Sequence, residues 1–291
     1  MTAAAKLQKL LDAPGLISTP GVFDAMSARL VEQAGFDAAF MSGFMVSAVR
    51  IGEPDTGLIS YSEMVDQGRN MCEATSIPII GDGDTGFGNA INVKRTVQGY
   101  AHAGFACVMI EDQVSPKRCG HTLGKRVVSF SEAEQRLQAA VDARDELRDR
   151  GGDILIMART DANGTDGMEE ALRRCEMFRK VGVDITFLEA PKDEAEMRRY
   201  GAEIEGPKMA NMVEQGTTPY LTPAELEEIG YKVAIWPAAM LLSGLKAMQE
   251  TLQMIKSGNQ QDLSKRLTFQ ELQALVGFPE YYDAEKRYAA E

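Results

Sequence analysis

The chain has 291 residues, 44% of them hydrophobic, and a formal net charge of −12. That length suits one α/β barrel with a large core. The acidic balance excludes a nucleic-acid surface and argues against an anionic membrane face, while an anionic small molecule could still meet a locally positive site. Four cysteines (Cys72, Cys107, Cys119 and Cys175) lie scattered with no CxxC pair, so neither zinc nor a disulfide framework is indicated. No signal-like apolar core occupies residues 1–9 and no apolar run reaches membrane-spanning length. A soluble, reducing, cytoplasmic setting is expected.

Taken in chain order, short apolar runs alternate with amphipathic stretches. A strand at 16–19 leads to a helix at 25–34, and strands follow at 38–41 and 77–81. A helix at 90–103, a strand at 107–110, a helix at 131–148 and a strand at 154–158 come next. Then come a helix at 168–181, a strand at 185–189, a helix at 195–204 and a strand at 208–211. A helix at 223–229, a strand at 233–236 and a helix at 238–256 complete the pattern. Strand followed by helix implies a parallel crossover, and eight such strands without a composition break match a closed (β/α)8 TIM-type barrel. Gly35, Gly104, Gly182 and Gly230 stand where helix C-termini want a left-handed cap. The doubly wound open sheet is the rival, but no GxGxxG opens a helix near the N-terminus. One barrel domain is expected over 1–291, with a helical extension from about 238 to 291 that includes stretches at 261–276 and 279–290. That extension is expected to pack on a neighbouring subunit, the alternative being that it covers the floor of its own barrel.

In such barrels the site lies at the C-terminal ends of the strands. Polar residues fall there in series: Ser42 and Gly43, Asp82 and Asp84, Glu111 and Asp112, Arg159 and Asp161, then Glu189 and Asn211. By contrast, the eighth strand ends at Trp236-Pro237, which carries no charge. Asp82 and Asp84 are two apart, so in a strand both would point one way. With Glu111 they offer hard oxygen ligands for Mg²⁺, or for Mn²⁺. The plainer expectation is that these acids cap a helix or pair with Lys94 or Arg95. The run Gly81-Asp82-Gly83-Asp84-Thr85-Gly86 lacks a lysine in Walker spacing, so a phosphate cradle is disfavoured. Lys117-Arg118-Cys119-Gly120-His121 gathers a thiol, two cations and an imidazole. Cations stabilise a thiolate, which marks Cys119 as a proton donor or acceptor, with His121 orienting it or a substrate carboxylate. His102 lies in a helix pattern and is expected to be structural, as are the other three cysteines. Arg159 is expected to clamp a carboxylate or enolate oxygen, the alternative being a structural salt bridge to Asp161 or Glu189. The 16 methionines fill core, and the charged run at 142–153 is a solvated helix end.

The ordered set GDGDTG, the Glu111-Asp112 pair, KRCGH, ARTDA and ANMVEQGTTP, spread from about Gly21 to Tyr231, resembles the isocitrate lyase/phosphoenolpyruvate mutase superfamily. Within it the chain resembles the 2,3-dimethylmalate lyase and petal-death-type branch and carboxyphosphonoenolpyruvate mutase-like proteins. The resemblance implies a barrel whose final helix is exchanged between subunits in a homodimer or homotetramer. It implies Mg²⁺ at Asp82, Asp84 and Glu111, and an oxalate-like part of the ligand at Ser42, Gly43 and Arg159. It further implies a lid carrying Cys119, whose thiol protonates the enolate released when a carbon–carbon bond breaks. Phe44, Lys117, Gly120, Asn211 and Val213 join the expected substrate-binding set.

Two departures bear on chemistry. Tyrosines of relatives align with Phe40 and Phe44, neither of which can act as a base, so Asp55 or Glu189 is expected to take the substrate proton. An apolar Val213 and Leu242 stand where methylisocitrate lyases carry a threonine and an arginine. An unpaired third carboxylate there would be costly to bury. The expected activity is therefore Mg²⁺-dependent cleavage of a 2-hydroxy dicarboxylate, 2,3-dimethylmalate-like, to an α-keto acid such as pyruvate and a small carboxylate. The alternatives are a carboxyphosphonoenolpyruvate-type phosphonomutase, a methylisocitrate lyase or an oxaloacetate hydrolase, the last disfavoured by Ala162. A non-catalytic keto-acid-binding barrel is disfavoured by the intact metal and cysteine sets.

Overall fold

The computed structural model describes residues 1–118, 124–214, 216–258, 264 and 266–289. Its contacts divide the chain into two units, Met1–Met240 and Leu241–Glu291. The first is a closed barrel of eight parallel strands in sequential order. The strands are β1 (Ile17–Val22), β2 (Ala39–Met41), β3 (Ile79–Asp82), β4 (Cys107–Glu111), β5 (Leu155–Thr160), β6 (Ile185–Leu188), β7 (Lys208–Asn211) and β8 (Val233–Trp236). β1 closes the ring on β8 in the register Ile17↔Val233. The (β/α)8 expectation holds, with strand ends shifted by a few residues.

Helices cover the barrel: α1 (Ala3–Asp12), α2 (Ala25–Gln33), α3 (Gly43–Arg50), α4 (Tyr61–Ala74), α5 (Ala90–His102), α6 (Phe130–Arg148), α7 (Ala162–Thr165), α8 (Met168–Val181), α9 (Glu194–Glu203) and α10 (Pro223–Ile229). Period-two alternation in each strand sorts the core into two clusters. Inside the barrel sit Phe40, Ile80, Cys107, Met109, Leu155, Met157, Ile185, Phe187, Met209, Val233 and Ile235. Ala4, Leu7 and Leu11 of α1 join this cluster, so the first helix stoppers one end of the barrel. The outward strand residues, among them Val108, Ile110, Ile156 and Ala158, pack with the helix layer.

The sequence pattern missed α1, α3, α4 and α7. Two of these carried usable signals. Thr2 caps α1 ahead of the buried stripe Ala4, Leu7 and Leu11, and Ser60 with Glu63 forms a capping box opening α4. The second unit contains most of α11 (Ala239–Lys256), then α12 (Phe269–Val276) and α13 (Phe278–Tyr288). Within the expected helix at 261–276, α12 begins only at Phe269, because Thr268 as N-cap and Glu271 in the first turn form a capping box. Among the described residues no helix is long and apolar enough to cross a membrane.

Candidate active site

The alternation that fills the barrel also builds the site. Counting inward positions up each strand, Cys107 and Met109 lead to Glu111, Leu155 and Met157 to Arg159, and Ile185 and Phe187 to Glu189. By the same parity Phe40 leads to Ser42, Ile80 to Asp82 and Met209 to Asn211. A layer of polar side chains thus replaces the apolar layers at the C-terminal mouth, where barrel enzymes place their chemistry.

Phe40 belongs to the apolar interior and is 3% exposed, so it lies below the polar layer. Phe44, in the first turn of α3, is exposed. Ser42 is the N-cap of α3 but its hydroxyl makes no capping bond. The Gly43 amide donates to Asp82 Oδ2 at 3.0 Å. A Cβ on Gly43 would stand 2.6 Å from that oxygen, so only glycine allows this approach.

Asp84 reaches the cluster by a different route from the one its spacing suggests. β3 ends at Asp82, and Asp84 adopts a left-handed backbone with φ 48°. The expectation of two carboxylates from one strand face is therefore corrected. The turn is held by Asp82 Oδ1 accepting from the Asp84 amide at 3.0 Å and by the Asp84 carbonyl accepting from the Glu111 amide at 2.9 Å. A non-glycine residue in this conformation signals a constraint imposed by the site.

Lys117 is the cation of this cluster. Its ammonium lies 2.7 Å from both oxygens of Asp55 and 2.8 Å from Asp84 Oδ1, with all three side chains buried. Lys94 instead pairs with Glu146, and Arg95 stacks over Tyr61, so neither neutralises the acids. Burial, only partly offset by Lys117 and reinforced by Asp82 and Asp55, pushes the Asp84 carboxyl up to about 7. Burial likewise raises Glu111 well above the carboxylate range, against the pull of Arg159 and Lys117.

Arg159 forms the second half of the site. Its guanidinium is 2.9 Å from Asp161, 3.1 Å from Glu189 and 3.3 Å from Glu111. Burial opposes its charge, but Asp161, Glu189 and Glu111 outweigh burial and hold it protonated. Against desolvation, Arg159 and Lys125 keep Asp161 below the usual carboxylate range. Both structural salt bridges considered for Arg159 thus exist, with Glu111 as a third. Asn211 Nδ2 approaches Glu189 at 3.3 Å and 3.4 Å.

Asp112, grouped with the strand-end acids in the sequence, turns to the outer side of the barrel. It accepts from Thr160 Oγ1 at 2.7 Å, from Arg174 at 2.9 Å and from the Asp161 amide at 3.0 Å. It is a brace for the β5 end and not part of the mouth. Val213, just past β7, is half-buried, and Leu242 belongs to the second unit and is exposed. Cys119, Gly120 and His121 lie outside the described residues. Burial pushes Cys72 up to about 12 and Cys107 and Cys175 well above the thiol range, as suits packed thiols. His102 is exposed in the last turn of α5.

Among the described residues no three His, Cys, Asp or Glu side chains stand ready-arranged around a metal. The donor chemistry nevertheless fits a hard cation. Glu111 Oε1 is buried without a hydrogen-bond donor, Asp84 Oδ1 meets only the Lys117 ammonium, and Asp82 adds further oxygens beside them. Removal of metal should therefore show a pH signature. The raised carboxyls bind protons in the folded state that the unfolded chain has lost, so metal-free stability falls as pH rises from about 4 to 7. A divalent ion held by these carboxylates would oppose that loss. Thermal melts should show EDTA lowering Tm more at pH 8 than at pH 5, with Mg²⁺ restoring it; an equal EDTA effect at both would contradict the assignment.

An acid-rich barrel mouth with a buried arginine is the kind of site an enzyme places at its strand ends, and comparison with known proteins agrees. A family model described as phosphoenolpyruvate phosphomutase matches residues 7–256. The chain is 42% identical over 291 residues to 2,3-dimethylmalate lyase of Eubacterium barkeri, covering 99% of each. It is 39% identical to the chloroplastic carboxyvinyl-carboxyphosphonate phosphorylmutase of Arabidopsis thaliana, over 98% of this chain and 84% of that protein. A crystal structure of 2,3-dimethylmalate lyase superposes with TM-score 0.93 at 36% identity, over 100% of this chain and 96% of that one. The protein belongs to the phosphoenolpyruvate mutase/isocitrate lyase superfamily, a family of lyases and mutases.

Proposed function

We propose that the protein is a divalent-metal-dependent carbon–carbon lyase that cleaves a 2-hydroxy dicarboxylate of the 2,3-dimethylmalate type into pyruvate and a small carboxylate. The observation that carries this reading is the junction of Glu111 and Arg159, 3.3 Å apart, which joins a cluster of hard-oxygen donors to a buried guanidinium. Asp82, Asp84 and Glu111 would hold Mg²⁺ or Mn²⁺. When bound, such an ion polarises the oxygen that becomes the keto group. Arg159 would meet the adjacent carboxylate and stabilise charge developing there. Ser42 and the Gly43 backbone border the same space.

Cleavage requires a base for the C2 hydroxyl. Both oxygens of Asp55 are committed to Lys117. Glu189 is also paired, with Arg159 and Asn211, but it lies beside the guanidinium that would meet the substrate carboxylate, and it is the acceptor we favour. As it takes the proton, the C2–C3 bond breaks and its electrons pass to the departing carboxylate as an enolate. Cys119, supported by the resemblance and by its neighbours in the sequence, would deliver the thiol proton to C3, with His121 and Gly120 beside it. Turnover of 2,3-dimethylmalate to pyruvate and propionate, abolished by EDTA, tests the reading.

Phosphonomutase chemistry is the second reading. It needs no hydroxyl base, and the apolar placement of Phe40 favours it. Formation of a carbon–phosphorus bond in a ³¹P NMR spectrum would select it.

The second unit supports a homo-oligomer. Leu242, Leu245, Met248, Leu252 and Ile255 are exposed at helical spacing along α11. In the barrel unit, Leu30, Val31, Phe36, Trp236 and Met240 line a groove of about 440 Å³. We assign these apolar surfaces to contacts between copies, in a dimer or tetramer. Leu245→Glu combined with Leu252→Glu should yield monomer by size-exclusion chromatography with light scattering; an unchanged assembly would sink this assignment.

A further inference from the structure

Arg159 faces a charge problem. One guanidinium meets three buried carboxylates, those of Glu111, Asp161 and Glu189, all within 3.3 Å. Left alone, that group is net negative and would repel an incoming carboxylate, however well Arg159 is aimed. Opposite charges a few ångströms apart inside a protein interact far more strongly than in water, so a single further cation alters the balance.

Lys125 is that cation. Its Nζ lies 2.8 Å from Asp161 Oδ1, and its side chain is only 7% exposed. Asp161 divides its oxygens: Oδ2 accepts from Arg159 Nε at 2.9 Å, while Oδ1 accepts from Arg159 Nη2 at 3.2 Å and from Lys125. Asp161 is not free to swing away, because Asp112 holds its amide at 3.0 Å. Lys125 is equally fixed. Its neighbour Arg126 accepts a backbone bond from Val114, Val127 bridges antiparallel to Gln113, and the Val128 amide bonds the Asp112 carbonyl. Burying a lysine is expensive unless its charge is matched, so this placement marks a demand for charge at this point.

We propose that Lys125 is a positioning residue for substrate recognition, neutralising Asp161 so that Arg159 retains positive field toward the carboxylate of the substrate. The proposal rests on the reading of this site as one that receives an anionic α-keto-acid fragment. It assigns Lys125 to binding and not to proton transfer.

The test uses the full-length protein with Mg²⁺ and oxalate, a planar dianion that mimics a keto-acid carboxylate, titrated by calorimetry alongside steady-state kinetics. Lys125→Met should weaken oxalate binding and raise KM by about tenfold or more, with kcat changed less than about threefold. Lys125→Arg should restore affinity. Adding Asp161→Asn to Lys125→Met should also recover affinity, because the charge needing neutralisation is gone. Lys125→Met binding oxalate as the wild type does, or a double variant no better than the single one, would overturn the proposal. If the wild type itself bound no oxalate and cleaved no hydroxy dicarboxylate, the functional reading would fail, and this inference with it.

Discussion

Arg159→Met is expected to cost both stability and activity. It strands Asp161 and Glu189, each 0% exposed, and Glu111, 3% exposed, without their shared cation. Breaking a buried ion pair by removing one partner typically costs about 3–5 kcal/mol. Denaturant melts should show a loss of that order, and turnover should fall by roughly 10²–10³-fold, the scale of losing one preorganised charge donor. Arg159→Lys should recover part of the stability but little turnover, because one ammonium cannot serve three carboxylates as a planar fork can. Near-wild-type turnover of either variant would remove Arg159 from the mechanism.

Cys119→Ala is expected to have the other large effect, on kcat alone. A positioned proton donor contributes about 10²–10⁴-fold. Melting behaviour should stay close to wild type, and oxalate binding should persist, since the clamp and the acid cluster are untouched. Cys119→Ser should recover little, because a hydroxyl gives up its proton far less readily than a thiol. A serine variant retaining full turnover would exclude this thiol as the donor.

The barrel was legible because strand alternation and crossover helices repeat with clear spacing. The inward parity that places Phe187 in the core also brings Glu189 to the mouth, so the strand-end rule recovered most of the polar layer. It failed where local backbone broke the period. Asp84 joins its neighbours through a left-handed turn that spacing cannot reveal, and Asp112 follows the opposite parity onto Thr160 and Arg174. Long-range charge pairing was equally hidden. Lys117 meets Asp55 across 62 positions and Lys125 meets Asp161 across 36, separations at which sequence carries no distance information. α3 escaped notice because its opening residue, Ser42, spends no hydroxyl on capping and its sequence GFMVSAVR is mostly apolar.

The most direct measurement is proton NMR of the purified protein with Mg²⁺ and 2,3-dimethylmalate, with methylisocitrate and oxaloacetate in parallel samples. Pyruvate and propionate formed from dimethylmalate, and absent with EDTA, is the predicted result. Cleavage of methylisocitrate with none of dimethylmalate would contradict the preference for an alkyl-bearing dicarboxylate read from Val213 and Leu242 in the sequence. Silence on all three substrates would contradict the lyase itself.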